Sequence, residues 1–188
     1  MMDKIIAVTG GIGCGKSAVI NIIKELGYTV LSADEEYVLL LNDPLFVRQI
    51  HKIAGVEAGD ILDRKAVSLA VFNDSEKLKA LNEFTHAKIY NKLFEKSKGK
   101  GLVFHEVPLL FESGKQDDYY KVIVIKRNLE DRINSVILRS GLTREEVIKR
   151  IENQFSYANL DENKHTVINN DKDIVALAEL VKAVVNEI

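Results

Sequence analysis

The stretch Gly10-Gly11-Ile12-Gly13-Cys14-Gly15-Lys16-Ser17 constrains this chain more than any other, because it fits the pattern G-x-x-x-x-G-K-S/T. The apolar run KIIAV precedes it and the helical pattern KSAVINIIKEL follows it, which is the strand and helix context that the pattern requires. Glycines let successive backbone N–H groups turn toward phosphate oxygens, and a helix N-terminus adds partial positive charge. The sequence therefore predicts that this phosphate loop, residues 10–17, holds a nucleoside triphosphate.

Two side chains of the phosphate loop have predicted chemical roles. Lys16 is expected to reach the β- and γ-phosphates, and Ser17 to supply a hydroxyl to Mg²⁺. The positions predicted to bind the triphosphate, in the loop and at the start of the helix, are Gly11, Gly13, Cys14, Gly15, Lys16, Ser17 and Ala18.

Five short apolar runs, separated by helical or long connecting stretches, predict an α/β fold with a five-stranded parallel sheet. The first run lacks polar alternation, as expected for a strand that is buried on both faces. The predicted strands are Lys4–Val8, Tyr28–Asp34, Gly101–Val107, Tyr120–Lys126 and His165–Asn169.

Two intervals are too long to be simple crossovers between strands. Residues 35–100 carry several helical patterns and no convincing strand, which predicts a helical lobe. Residues 136–162 are charged and helical, with Gly141 and Thr143 marking a turn and an N-cap, and we interpret them as a mobile lid. A single domain follows, with its core in residues 1–34, 101–135 and 163–188.

Composition narrows the possible environments and partners. The chain has 188 residues and a net charge of -2, which disfavours nucleic acid as a partner. No apolar run approaches the roughly 20 residues of a membrane span. Cys14 is the single cysteine, which fits a reducing compartment. We therefore expect a cytoplasmic protein with no membrane segment.

Triphosphate binding alone leaves several classes open, among them switch GTPases, motor ATPases and small-molecule kinases. The guanine-reading pattern N-K-x-D does not occur in the sequence. Glu106 ends the apolar run that begins at Leu102, as a Walker B acid would, and could assist Mg²⁺ through water. The short chain, the helical lobe and the arginine-bearing lid favour a kinase whose lobes close over two substrates.

The order of several motifs resembles the dephospho-CoA kinase family over nearly the whole chain. These motifs are TGGIGCGKS, SAD, DRKAVSLAVFND, LNEFTH, VPLLFES, the RI of the lid with Gln154, and VINN. The resemblance implies a P-loop nucleotide-kinase-like three-layer fold. It also implies that ATP, with Mg²⁺, phosphorylates the ribose 3′-hydroxyl of dephospho-CoA in the last step of coenzyme A biosynthesis. Small-molecule substrates are then the expected partners.

The same resemblance assigns roles outside the phosphate loop. Asp34 would accept the proton of the attacking hydroxyl, and Arg139 would stabilise the transferring phosphoryl group from the lid, with Arg144 and Arg150 as rivals. The remaining matched positions are Arg64, His86, Pro108 and Leu109 for the acceptor and Asn170 for ATP.

Plainer interpretations of some of these positions stay open. Asp34 could simply N-cap the helix that follows it, and Pro108-Leu109-Leu110 could belong to the core. Ala87 follows His86 where the family has proline, so a packing role for His86 is equally compatible with the sequence. The alternative enzyme is a nucleoside or nucleoside monophosphate kinase. A nucleotide-dependent switch module is the alternative from another class.

Overall fold

A computed structural model describes residues 3–188. Its centre is one five-stranded sheet in the order β2-β3-β1-β4-β5, with β1 paired in parallel to β3 and β4, and β4 in parallel to β5. The strands are β1 (Lys4–Thr9), β2 (Thr29–Ser32), β3 (Leu102–Glu106), β4 (Lys121–Lys126) and β5 (Thr166–Asn169). The five-stranded parallel α/β fold predicted from the sequence is confirmed.

Eight α-helices occur among the described residues. They are α1 (Lys16–Glu25), α2 (Ala33–Leu40), α3 (Pro44–Ala54), α4 (Arg64–Phe72), α5 (Ser75–Ser97), α6 (Leu129–Ser140), α7 (Arg144–Glu152) and α8 (Ile174–Asn186). Three short 3-10 turns lie at Gln116–Asp118, Tyr157–Asn159 and Glu162–Lys164. No helix within residues 3–188 combines the length and apolar character needed to cross a membrane.

The main hydrophobic core joins the sheet to α1 and α8. Buried β1 and β4 side chains such as Ile6 and Ile123 pack with Ile23 of α1 and Val181 of α8. A second, smaller core lies between α6 and α7, around Ile133, Val136 and Val147. Because β1 is the central strand and its last four residues are buried, the loop that follows it is anchored on the core of the sheet.

The described chain divides into two compact units. One unit contains residues 3–31 and 97–188, and the other is Ser32–Lys96. Inside the second unit Phe46 packs between Tyr37 and Phe84, with ring centroids 6.3 and 5.4 Å away. This aromatic contact links α2, α3 and α5 within the predicted helical lobe.

The start of α2 corrects one of the alternatives drawn from the sequence. Ser32 is the N-cap residue, because its extended backbone ends β2 and the helix begins at the next residue. Asp34 therefore lies in the first turn of α2 and is not the N-cap. For the same reason, the predicted second strand ran two residues past the end of β2.

Candidate active site

The phosphate loop takes a backbone path that only glycine can follow at two positions. Gly13 and Gly15 have φ values of 78° and 88°. A Cβ atom on Gly13 would lie 2.4 Å from the backbone oxygen of Arg132, and one on Gly15 would lie 2.1 Å from Nδ2 of Asn170. Both neighbours approach the loop backbone so closely that any side chain would displace them.

Lys16 and Ser17 open helix α1 directly behind the loop. Gly15 is the N-cap, and no acidic residue occupies the first turn, so the positive end of the helix dipole remains available to an anion. The Nζ atom of Lys16 donates a hydrogen bond to the backbone oxygen of Gly10 across 2.9 Å. The Ser17 side chain is exposed, and Ala18 is partly buried.

Asn170 fastens the end of β5 to this loop. Its side-chain Nδ2 donates to the backbone oxygen of Cys14 across 3.0 Å, and its backbone N–H donates to the backbone oxygen of Lys126 across 2.8 Å. The Cys14 side chain is only 1% exposed and packs in the main core. Asn170 and Cys14 thus bring β5 and the phosphate loop into direct contact, and the Cys14 side chain points into the protein.

The predicted Mg²⁺ residues suit a cation held mainly by phosphate and water. Glu106 ends β3 and pairs in register with Val8 of β1, so it lies at the sheet edge from which the phosphate loop begins. No cluster of three or more His, Cys, Asp or Glu side chains that could hold a metal ion occurs in the described part of the chain. One hydroxyl and one carboxylate are typical of Mg²⁺ that arrives with a nucleotide.

The loop after β3, residues 107–112, which we call the acceptor loop, divides between core and surface. Leu110 is fully buried, Leu109 is 45% exposed and Pro108 is half-buried. The backbone N–H of Val107 donates to the Val8 oxygen across 3.0 Å, which holds the start of this loop beside β1. Leu110 therefore belongs to the core, and Leu109 and Pro108 are accessible to a substrate.

The arginines of the predicted lid differ in their surroundings. Arg139 lies in the last turn of α6 and is exposed. Arg144 begins α7 and forms a bidentate ion pair with Glu130, with nitrogen–oxygen distances of 2.8 and 2.6 Å. The structure thus leaves Arg139 more available than Arg144 for a bound phosphate. Gly141 ends α6 with φ of 67°, and Thr143 caps α7 with a capping box, as predicted.

Arg132 and Gln154 contact the phosphate loop, which sequence reasoning did not anticipate. The Nε atom of Arg132 donates to the backbone oxygen of Ile12 across 3.0 Å, and the backbone N–H of Ile12 donates to Oε1 of Gln154 across 2.8 Å. Partial burial lowers the pKa of Arg132, although a guanidinium stays charged at neutral pH. Both contacts join residues more than a hundred positions apart in the sequence, so no local sequence pattern predicts them.

A cavity of about 160 Å³ adjoins the phosphate loop and is rich in cationic side chains. Such a lining favours an anionic ligand. It is lined by Gly11, Cys14, Ile125, Lys126, Arg127, Arg132 and Tyr157.

The other predicted site residues belong to the second unit, Ser32–Lys96. Asp34 is exposed in the first turn of α2, and Arg64 is exposed as the first residue of α4. His86 is half-buried in α5, and burial lowers its pKa. The first two are therefore accessible to a ligand, and the third is mostly neutral at pH 7.

His51 of α3 organises the segment that leads to Arg64. The backbone N–H groups of Gly59 and Asp63 donate to its Nδ1 and Nε2 at 3.2 and 3.1 Å. An imidazole ring offers one acceptor nitrogen at a time, so this buried ring can accept from only one of these two amides at once. Asp63 is also the N-cap of α4 and accepts from the Ala66 N–H across 2.9 Å.

A parallel five-stranded sheet whose central strand runs into a phosphate loop defines the class of P-loop kinases with the nucleotide-kinase fold. Within that class, the dephospho-CoA kinase family matches residues 4–176, and the chain belongs to this family.

Individual relatives are similar over nearly their full length. The dephospho-CoA kinase of Chlorobaculum tepidum is 35% identical over an alignment 193 residues long, which covers 96% of this chain and 92% of the relative. A crystal structure from Thermus thermophilus is 34% identical, with a TM-score of 0.84 and coverage of 100% and 99%. Dephospho-CoA kinase from Campylobacter jejuni is 30% identical, with a TM-score of 0.70 and coverage of 99% and 97%.

Proposed function

We propose that this chain transfers the terminal phosphoryl group of ATP to the ribose 3′-hydroxyl of dephospho-CoA, giving coenzyme A and ADP. The observation that carries the proposal is the family match over residues 4–176, which includes both the phosphate loop and the acceptor loop. In the reaction the hydroxyl oxygen forms a bond to the γ-phosphorus, the bond from that phosphorus to the β,γ-bridging oxygen breaks, and the hydroxyl loses its proton.

The phosphate loop supplies most of the nucleotide binding in this proposal. Its backbone N–H groups and the N-terminus of α1 neutralise the phosphates. Lys16 must leave the Gly10 carbonyl, its present partner, to reach the β- and γ-oxygens. Mg²⁺ would be held by the Ser17 hydroxyl and, through water, by Glu106, and when bound it neutralises charge that develops on the phosphates.

Asp34 and Arg139 complete the chemistry. The Asp34 carboxylate accepts the proton of the attacking hydroxyl. Asp34 is exposed on α2, so its side chain is accessible to a substrate. Arg139 stabilises the transferring group once residues 136–162 close over it. Arg64, His86, Pro108 and Leu109 contact the acceptor, with His86 acting as a neutral side chain.

A coupled assay of ADP release tests the proposal. Purified protein is supplied with Mg-ATP and dephospho-CoA, AMP, CMP or no acceptor, and Lys16→Ala serves as the inactive comparison. Among the four conditions, we expect ADP release only where dephospho-CoA is the acceptor. The Lys16→Ala variant should lose that activity. Preference for AMP or CMP would assign a nucleoside monophosphate kinase, and equal slow hydrolysis in all four conditions would assign a switch module.

A further inference from the structure

One residue of the phosphate loop, Ile12, is held through both of its backbone groups, by α6 and by the segment that follows α7. The Ile12 carbonyl accepts from Arg132 of α6, and the Ile12 N–H donates to Gln154, which follows α7. The Ile12 side chain also packs against the small core of Ile133, Val136 and Val147. Backbone and side chain of Ile12 are therefore both integrated with the α6–α7 pair.

The residue after Gln154 is bound to the acceptor loop. The backbone N–H of Phe155 donates to Oε1 of Glu112 across 2.9 Å. The Phe155 ring stacks on Phe111, with centroids 4.5 Å apart and planes inclined by 22°. Consecutive residues thus contact the two loops to which nucleotide and acceptor are assigned.

Tyr157 fixes the same segment to the end of β1. Its hydroxyl lies 3.4 Å from Oγ1 of Thr9, and both side chains are buried. Burial raises the pKa of Tyr157 to about 12, so the phenol stays protonated and able to donate this hydrogen bond. The Tyr157 ring also meets Phe111 edge-on, with centroids 5.9 Å apart.

We infer that residues 154–157 form a strap that holds the phosphate loop and the acceptor loop in a fixed relation, and that Gln154 is a positioning residue for the phosphate loop. Closure of the predicted lid then involves residues 136–153 and leaves the strap in place. Ile12 is bound to Gln154 and Glu112 is bound to Phe155, which are neighbours in the chain. The strap thereby aligns the terminal phosphate with the acceptor. The inference rests on the proposed function only for the identity of the acceptor. A substitution that loosens the strap should therefore weaken nucleotide binding, even when the altered side chain contacts only the acceptor loop.

Two variants separate the ends of the strap. Gln154→Leu keeps the size of the side chain but removes the acceptor for the Ile12 N–H, and Glu112→Leu removes the acceptor for the Phe155 N–H. Asn153→Leu, at the exposed neighbouring position, is the matched control. Hydrogen exchange of the Ile12 amide by NMR and the ADP dissociation constant by calorimetry are measured for each, well below its melting temperature.

We expect Gln154→Leu to accelerate Ile12 exchange and weaken ADP binding about fivefold, the scale of one lost hydrogen bond. Glu112→Leu should change both quantities in the same direction by about twofold, and Asn153→Leu should change neither. Wild-type Ile12 exchange and ADP affinity in folded Glu112→Leu would overturn the strap. Glu112 is exposed, so this arm stands even if Gln154→Leu fails to fold. Neither readout uses an acceptor, so a wild-type protein inactive on dephospho-CoA would contradict the proposed function and leave the strap intact.

Discussion

The side-chain amide of Asn170 donates a hydrogen bond to the backbone carbonyl of Cys14, and its nitrogen occupies the space beside the Cα atom of Gly15. Asn170→Ala should raise the ATP dissociation constant about fivefold, because the loop loses one buried hydrogen bond. Asn170→Asp should raise it further, since a carboxylate cannot donate and faces the carbonyl oxygen. Titration calorimetry measures both constants. Equal affinity in all three proteins would mean that the loop holds its shape without Asn170.

Asp34→Asn tests the proton acceptor of the proposed reaction. Turnover with dephospho-CoA should fall by roughly 10²-fold or more, the usual scale for a general base, while ATP affinity barely changes. Because Asp34 lies in the first turn of α2 and is not its N-cap residue, stability should also be nearly unchanged. Glu35→Gln, an exposed neighbour in the same helical turn, is the matched control for lost charge. A wild-type rate constant in Asp34→Asn would remove Asp34 from the chemistry.

Arg139→Met tests which lid arginine meets the phosphoryl group. The rate constant for transfer should fall by about 10³-fold, the scale of an arginine supplied to phosphoryl transfer. Arg144→Met should change that rate far less, because the Arg144 guanidinium is already paired with Glu130. Single-turnover kinetics with saturating ATP distinguish the two variants. The opposite ranking of the two rates would make Arg144 the phosphate ligand.

His51→Phe tests how the segment before Arg64 is held. The ring shape remains, but the Gly59 and Asp63 amides lose their acceptor, so the free energy of unfolding should fall by about 1–3 kcal/mol. KM for dephospho-CoA should rise several-fold, and the ATP dissociation constant should stay constant. Lys52→Ala, at the exposed next position, provides the comparison. An unchanged KM would show that acceptor binding does not depend on this segment.

His105 should make stability depend on pH. Burial lowers its pKa to about 4 in the folded chain, whereas an unfolded histidine titrates near 6.5. Unfolding therefore takes up a proton between these values, so this contribution to stability is complete above about pH 6.5 and is lost as the pH falls toward 4. The full change is about 3 kcal/mol. Urea unfolding of wild type and His105→Gln between pH 7.5 and 5 should show a shallower pH slope in the variant; identical slopes would contradict this prediction.

The sheet could be predicted because its strands are buried on both faces and are therefore continuous apolar runs. Ile6 and Ile123, for example, are fully buried in strands whose bounds differ from the predicted ones by one residue. The phosphate loop was equally accessible to sequence reasoning, because its glycines, its lysine and its flanking elements are local. The second predicted strand ran past its end because β2 passes directly into α2, which leaves no loop to mark the start of the helix.

Contacts between distant residues could not be predicted in the same way. Ile12 and Gln154 are 142 positions apart, and their hydrogen bond depends on how α6 and α7 pack on the phosphate loop. The split of the acceptor loop between buried Leu110 and exposed Leu109 likewise depends on burial, which three consecutive apolar letters do not encode. The roles assigned to Asp34, Arg64, His86 and Arg139 remain predictions.

The two hydrogen bonds to the Ile12 backbone indicate where residues could be inserted into this chain. Arg132 and Gln154 both contact the backbone of Ile12, so the polypeptide between them starts and finishes at the same residue of the phosphate loop. Its far end, at Gly141 and Thr143, is exposed. The entropy of closing such a loop grows only slowly with its length. A few flexible residues inserted after Gly141 should therefore be tolerated without loss of nucleotide affinity, which makes this tip a suitable place to attach a fluorophore or a tag.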